Sequence, residues 1–140
     1  RALAEELKKD YSNSVRPQPW AAFVKTGVQK SNSPSQPDWW FTRSASVLRK
    51  LYVHGSIGVS RLRSEYGGSQ HATAFPDHAK KGSGSIVRKI LQQLEGAGLV
   101  GKNESKGRVL TAKGSSLLDK VAHKVRLTLQ KDEIPELRKY

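Results

Sequence analysis

The chain contains no cysteine in its 140 residues. Disulfides and thiolate-bound metals are therefore excluded, and the composition suits a reducing compartment. No stretch approaches the ~20 consecutive apolar residues that span a bilayer. The chain opens on Arg1 inside a helical pattern, so no signal peptide is expected. Acidic residues are scarce and scattered, and no acid/base pair for catalysis emerges. The four histidines, His54, His71, His78 and His123, have no partners at metal-ligand spacing. We therefore expect no metal, no cofactor, no small-molecule substrate and no enzyme activity.

What the chain has in excess is positive charge. Lys and Arg number 25 against 12 acids, a formal net charge of +13. A polyanionic partner is expected at that balance. Residues 1–42 hold six bases and four acids, 43–89 nine and two, and 90–140 ten and six. The excess peaks in the middle third, unlike a targeting tail. An anionic membrane is a poor partner, because no basic amphipathic segment offers an apolar face to insert.

Residues 38–54 carry the clearest helix pattern. Pro37 stops the chain from entering as helix, Asp38 suits an N-cap, and Gly55 suits the left-handed exit. Trp40, Phe41, Ser44, Ala45, Val47, Leu48, Leu51 and Tyr52 share an arc of about 160°, wide enough for neighbours on two sides. Arg43 and Lys50 stack on the opposite arc, and Arg49 lies at its far edge. Trp39 also projects onto that arc. It either stacks on a base or packs under the loop at 28–37, and packing is the commoner use of an aromatic.

Around this helix the chain reads as follows. Leu3, Ala4, Leu7 and Tyr11 give residues 1–11 a helical stripe. Pro19-Trp20 opens one or two turns, from which Trp20, Phe23 and Val24 should pack on the central helix. Residues 56–59 are extended, 60–66 form a short helix with Leu62 and Tyr66 inward, and 67–84 form a long loop. Ser85 should cap a second strong helix through Glu95, with Ile86, Val87, Ile90, Leu91 and Leu94 inward. Residues 99–110 make a hairpin. Thr111 caps a last helix with a stripe of Leu117, Leu118, Val121, Ala122, Val125 and Leu129. Residues 131–140 are a tail.

The fold class is mainly α: a single winged-helix-like domain, with residues 1–37 packing on a bundle around 38–54 and a β-hairpin near 99–110 as the wing. Arg43, Arg49, Lys50, Arg61, Arg63, Lys80, Lys81, Arg88 and Lys89 should converge on one face for phosphates, with Lys102, Lys106 and Arg108 extending it along the wing. Lys81-Gly-Ser-Gly-Ser85 is either a phosphate-binding helix N-terminus or an ordinary cap. A winged-helix DNA-binding regulator remains the alternative to an RNA-binding protein.

Several blocks are familiar. Asp38-Trp-Trp-Phe-Thr-Arg-Ser-Ala-Ser-Val-Leu-Arg-Lys-Leu-Tyr52, Gly58-Val-Ser-Arg-Leu-Arg-Ser-Glu-Tyr-Gly-Gly68, Gly82-Ser-Gly-Ser-Ile-Val-Arg-Lys-Ile-Leu-Gln-Gln-Leu-Glu95 and Gly107-Arg-Val-Leu-Thr111 resemble the nineteen-e protein family of the small ribosomal subunit. Pro19-Trp20 with Val24-Lys-Thr-Gly27 resembles that family's second helix. The Lys-Thr-Gly and Trp-Trp variants resemble its archaeal branch. The resemblance implies a helical bundle with a small hairpin in a cytoplasmic ribosome. Its partners would be ribosomal RNA in the subunit head and neighbouring ribosomal proteins, and its role would extend to subunit maturation. By matching positions, Arg43, Arg49, Lys50, Arg61, Arg63, Lys81 and Arg88 would face RNA, with the segment after Gly67 and Gly68. Where the family places several bases after that glycine pair, this chain has Ser69-Gln-His-Ala-Thr-Ala74. Fewer ionic contacts follow there. Gln70 and His71 would still contact RNA, and Lys80 and Lys81 would compensate.

Overall fold

A computed structural model describes residues 1–70, 76–103 and 107–131. Helix α1 (Ala2–Asp10) leads through a 3-10 turn (Pro19–Ala22) to α2 (Trp39–His54). Strand β1 (Ser56–Ile57) and α3 (Val59–Glu65) follow. Strands β2 (Gly68–Gln70) and β3 (His78–Lys80) precede α4 (Gly84–Gly96). Strands β4 (Val100–Asn103) and β5 (Gly107–Leu110) lead into α5 (Ala112–Lys131).

The central helix runs where its apolar arc demands. Trp40, Phe41, Ser44, Ala45, Val47, Leu48 and Leu51 are all buried. They meet Ile86, Val87, Ile90, Leu91 and Leu94 of α4, Leu62 of α3, and Leu7 of α1. Trp40 is fully buried between two edge-on indoles, Trp20 at 5.7 Å and Trp39 at 5.3 Å. Its indole N–H donates to Gln93 Oε1 at 2.9 Å, and Gln93 Nε2 donates to the Arg16 carbonyl at 2.7 Å. A polar chain thus ties the N-terminal connector, α2 and α4 through the core. Gln93 is half-buried for this reason.

Strand β5 lies between β1 and β4, antiparallel to both, with Ser56 opposite Val109 and Val100 opposite Leu110. Together with α2, α3 and α4 this is the winged-helix order that the sequence pattern predicts. Thr111 caps α5 as expected, its Oγ1 accepting from Gly114 N–H at 3.2 Å.

Five local expectations are corrected. Asp38 sits at the N-cap of α2 without a side-chain cap, because its carboxylate pairs with Lys8 at 2.8 Å. The cap of α4 is Ser83 rather than Ser85, since the helix begins two residues earlier, at Gly84. Tyr52 is 52% exposed, with its hydroxyl donating to Asp119 Oδ1 at 3.0 Å, a bond that holds the phenol above its ordinary pKa. Phe23 is not core but 84% exposed. The stripe on α5 is covered only over its first half: Leu117 and Leu118 are half-buried and Val121 is buried, whereas Val125 and Leu129 are exposed. The tail beyond 131 lies outside the described residues.

Candidate nucleic-acid interface

The segment 67–84, expected as a loop, contains a hairpin. Gly68, Ser69 and Gln70 pair with Lys80, Ala79 and His78. Its base is held tightly by glycine. A Cβ on Gly67 would lie 2.5 Å from the Lys80 carbonyl oxygen, and one on Gly82 would lie 2.8 Å from that of Tyr66. Gly82 also bridges antiparallel to Gly27, and Ser83 N–H donates to the Thr26 carbonyl at 2.9 Å. The connector at 23–30, the end of α3, the hairpin base and the start of α4 therefore meet at one junction.

Cations gather around that junction. Arg63 donates from Nε to the Gly82 carbonyl at 3.0 Å and lies alongside Gly84. One groove, of about 490 Å³, is lined by Phe23, Lys25, Val28, Arg63 and Lys81. A second, of about 530 Å³, is lined by Trp20, Lys25, Ser85, Arg88 and Lys89. The two share Val24, Lys25 and Ser83. A third, of about 530 Å³, runs past Tyr66 between the 32–36 loop and α2, lined by Lys30, Asn32, Trp39, Arg43 and Ser46. Among the described residues, no Asp or Glu lines any of the three.

Tyr66 organises the α2 side. The Arg43 guanidinium lies 4.1 Å from its ring centroid and Lys50 Nζ lies 5.1 Å from it. The ring hydroxyl donates to Ser46 Oγ at 2.8 Å, and the Tyr66 carbonyl accepts from Gln29 Nε2 at 3.0 Å. Burial pulls the Arg43 guanidinium below its ordinary pKa and pushes the Tyr66 phenol up. Arginine stays charged all the same. Lys50 is also bound to Glu65 at 2.6 Å. That bond holds the Glu65 carboxyl below the usual carboxylate range, with His54 and Arg61 adding smaller pulls.

The fold thus brings Arg43, Lys50, Arg63, Lys81, Arg88 and Lys89 to adjoining surfaces. Arg61 is exposed on α3 near Glu65, and Lys80 is exposed at the end of β3. Gly67 and Gly68 serve the hairpin base, and Gln70 is half-buried opposite His78. Two expectations change. Arg49 is exposed about 120° around α2 from Arg43, so it belongs to another side of the helix. Arg108 is drawn onto the end of α4 by Glu95, at 3.3 Å. That end lies about 20 Å along a 13-residue helix from Ser83, so Arg108 does not extend the cluster. His71 and Lys106 lie outside the described residues. Trp39 packs against Trp40 and walls the groove under the 32–36 loop. The phosphate-loop reading of residues 81–85 weakens, because the amides of Gly82 and Ser83 already donate to Arg63 and Thr26.

Sequence reasoning missed Lys25 and Lys30, lone bases in a stretch of low net charge. The signal for Lys25 was the Val24-Lys-Thr-Gly27 block, whose glycine makes the bridge to Gly82; Lys30 had none.

A family model described as ribosomal protein S19e matches residues 1–128. This chain belongs to that family. Relatives named small ribosomal subunit protein eS19 agree along nearly the whole length. That of Aeropyrum pernix is 46% identical, covering 100% of this chain and 91% of the relative. The Haloarcula marismortui protein is 44% identical over 99% of this chain and 90% of its own length. The one from Mya arenaria is 42% identical over 89% of this chain and 83% of its own length. The S19e family is structural rather than enzymatic.

Proposed function

We propose that the chain is a structural constituent of the small ribosomal subunit, acting as one domain over residues 1–140 in the cytoplasm. Its basic junction binds ribosomal RNA in the subunit head, and in doing so supports maturation of the subunit. Family membership supports the ribosomal role. One observation carries the RNA contact: cations from the connector, α2, α3, the hairpin base and α4 line adjoining grooves that no carboxylate lines among the described residues. Such a surface binds phosphates by releasing their counterions. Lys81, Arg88 and Lys89 at the start of α4 lie beside Lys25, while Arg43 and Lys50 supply the α2 edge.

The competing expectation, a winged-helix DNA regulator, would read bases with the solvent face of α4. No specific contact favours it, and the matching family is ribosomal.

The test is a salt titration against a transcript of the head domain of small-subunit ribosomal RNA. The slope of log K against log salt should shrink by about 0.7–0.9 for each phosphate left without its cation when Lys25, Lys81 and Arg88 are changed to Gln. An unchanged slope, or tighter binding to duplex DNA, would overturn the reading.

A further inference from the structure

Phe23 has a placement that the core does not explain. It is 84% exposed, and Val28 beside it is 61% exposed. The backbone that carries it is anchored: Phe23 N–H donates to the Trp20 carbonyl at 3.1 Å, and the following residues are fixed by the Gly27–Gly82 bridge. An aromatic side chain held out in water by an anchored backbone gains from a partner that covers it. The same groove holds Lys25, Arg63 and Lys81. Arg63 is oriented there by its bond to Gly82. A flat π-face inside a cationic rim is the combination by which proteins hold unpaired nucleotides, with the base on the ring and phosphates on the cations. A base pair inside a helix has both faces already stacked and cannot use it. An acidic protein segment would meet the cations too, and crosslinking from position 23 separates it from RNA.

We propose that Phe23 is the stacking platform for one unpaired nucleotide of the bound RNA, with Lys25 and Lys81 taking the neighbouring phosphates. The inference rests on the RNA-binding reading above.

Two probes test it: the head-domain transcript, and a fully paired RNA duplex of 20 base pairs. Phe23→Ala should weaken binding to the transcript by about 5- to 150-fold, the range of one base–aromatic stack. Duplex affinity and the salt slope should not move, and Phe23→Tyr should restore binding. If Phe23→Ala binds the transcript like the parent while Lys25→Gln and Lys81→Gln weaken it, the stack is wrong and the RNA face stands. If the lysine variants have no effect either, both fall. A photo-crosslinking benzoylphenylalanine at position 23, in assembled subunits, should capture an unpaired nucleotide. Capture of a ribosomal protein instead would overturn the proposal.

Discussion

The Arg43 guanidinium lies over the Tyr66 ring, 4.1 Å from its centroid. This one contact joins α2 to the end of α3 and places a half-buried cation at the edge of a groove. Arg43 is therefore both a packing residue and a charge, whereas its place on the cationic arc of α2 suggested charge alone.

Arg43→Ala should cost about 1–2 kcal/mol of stability, the scale of a partly desolvated cation–π contact with its packed stem. Arg43→Lys should recover only part of this, since an ammonium lacks the planar stacking surface. Thermal unfolding of the three proteins checks it; a lysine variant as stable as the parent contradicts it.

Glu65 holds Lys50 at 2.6 Å, so under the proposed RNA reading it would compete with phosphate for that lysine. Glu65→Gln should free that lysine, tighten transcript binding and steepen the salt slope by less than about one unit. The pair also has a pH signature. The folded-state pKa of Glu65 is depressed, so its contribution is present above the ordinary carboxylate range and lost as pH falls through the folded value. The melting-temperature gap between parent and variant should therefore close at acid pH. A gap constant with pH would assign the effect elsewhere.

Gly67→Ala and Gly82→Ala should each destabilise by roughly 2–4 kcal/mol, because the new methyl would meet backbone oxygens at 2.5 and 2.8 Å. Gly96→Ala, whose methyl would meet nothing within 4 Å, is the control and should be neutral or slightly stabilising. Denaturant midpoints separate the two classes. Equal effects at all three positions would mean that the junction is not tight.

Gln93→Ala should cost about 1–3 kcal/mol, since it leaves the buried Trp40 indole N–H unpaired. Chemical denaturation measures this. The same cost from Gln92→Ala, at an exposed neighbour, would rule out the hydrogen bond as the cause.

The elements legible in the sequence were those with apolar periodicity or punctuation. Helix α2 (Trp39–His54) lies between Asp38 and Gly55 as its signals predict, because a wide apolar arc leaves it one seat in the core. Thr111 announced its cap. The β2–β3 hairpin was illegible because Ser69, Ala79 and Lys80 are exposed and none of its strands buries an apolar face. Among the described residues, backbone pairing and two close-packed glycines hold its base. Phe23 and Tyr52 were misplaced because hydrophobicity suggests burial without showing whether a neighbour is there to supply it. The basic residues were visible individually, but their grouping was not. Arg108 and Arg43 have the same composition signal, yet Glu95 draws one to the far end of α4 and Tyr66 holds the other at the groove.

Lysine acetylation of the protein, free and in assembled small subunits, tests the basic face most directly. Lys25, Lys30, Lys81 and Lys89 should react freely in the isolated chain and be strongly protected in the subunit, and Lys120 on α5 should change far less. Equal reactivity of the four in both states would contradict an RNA-covered junction.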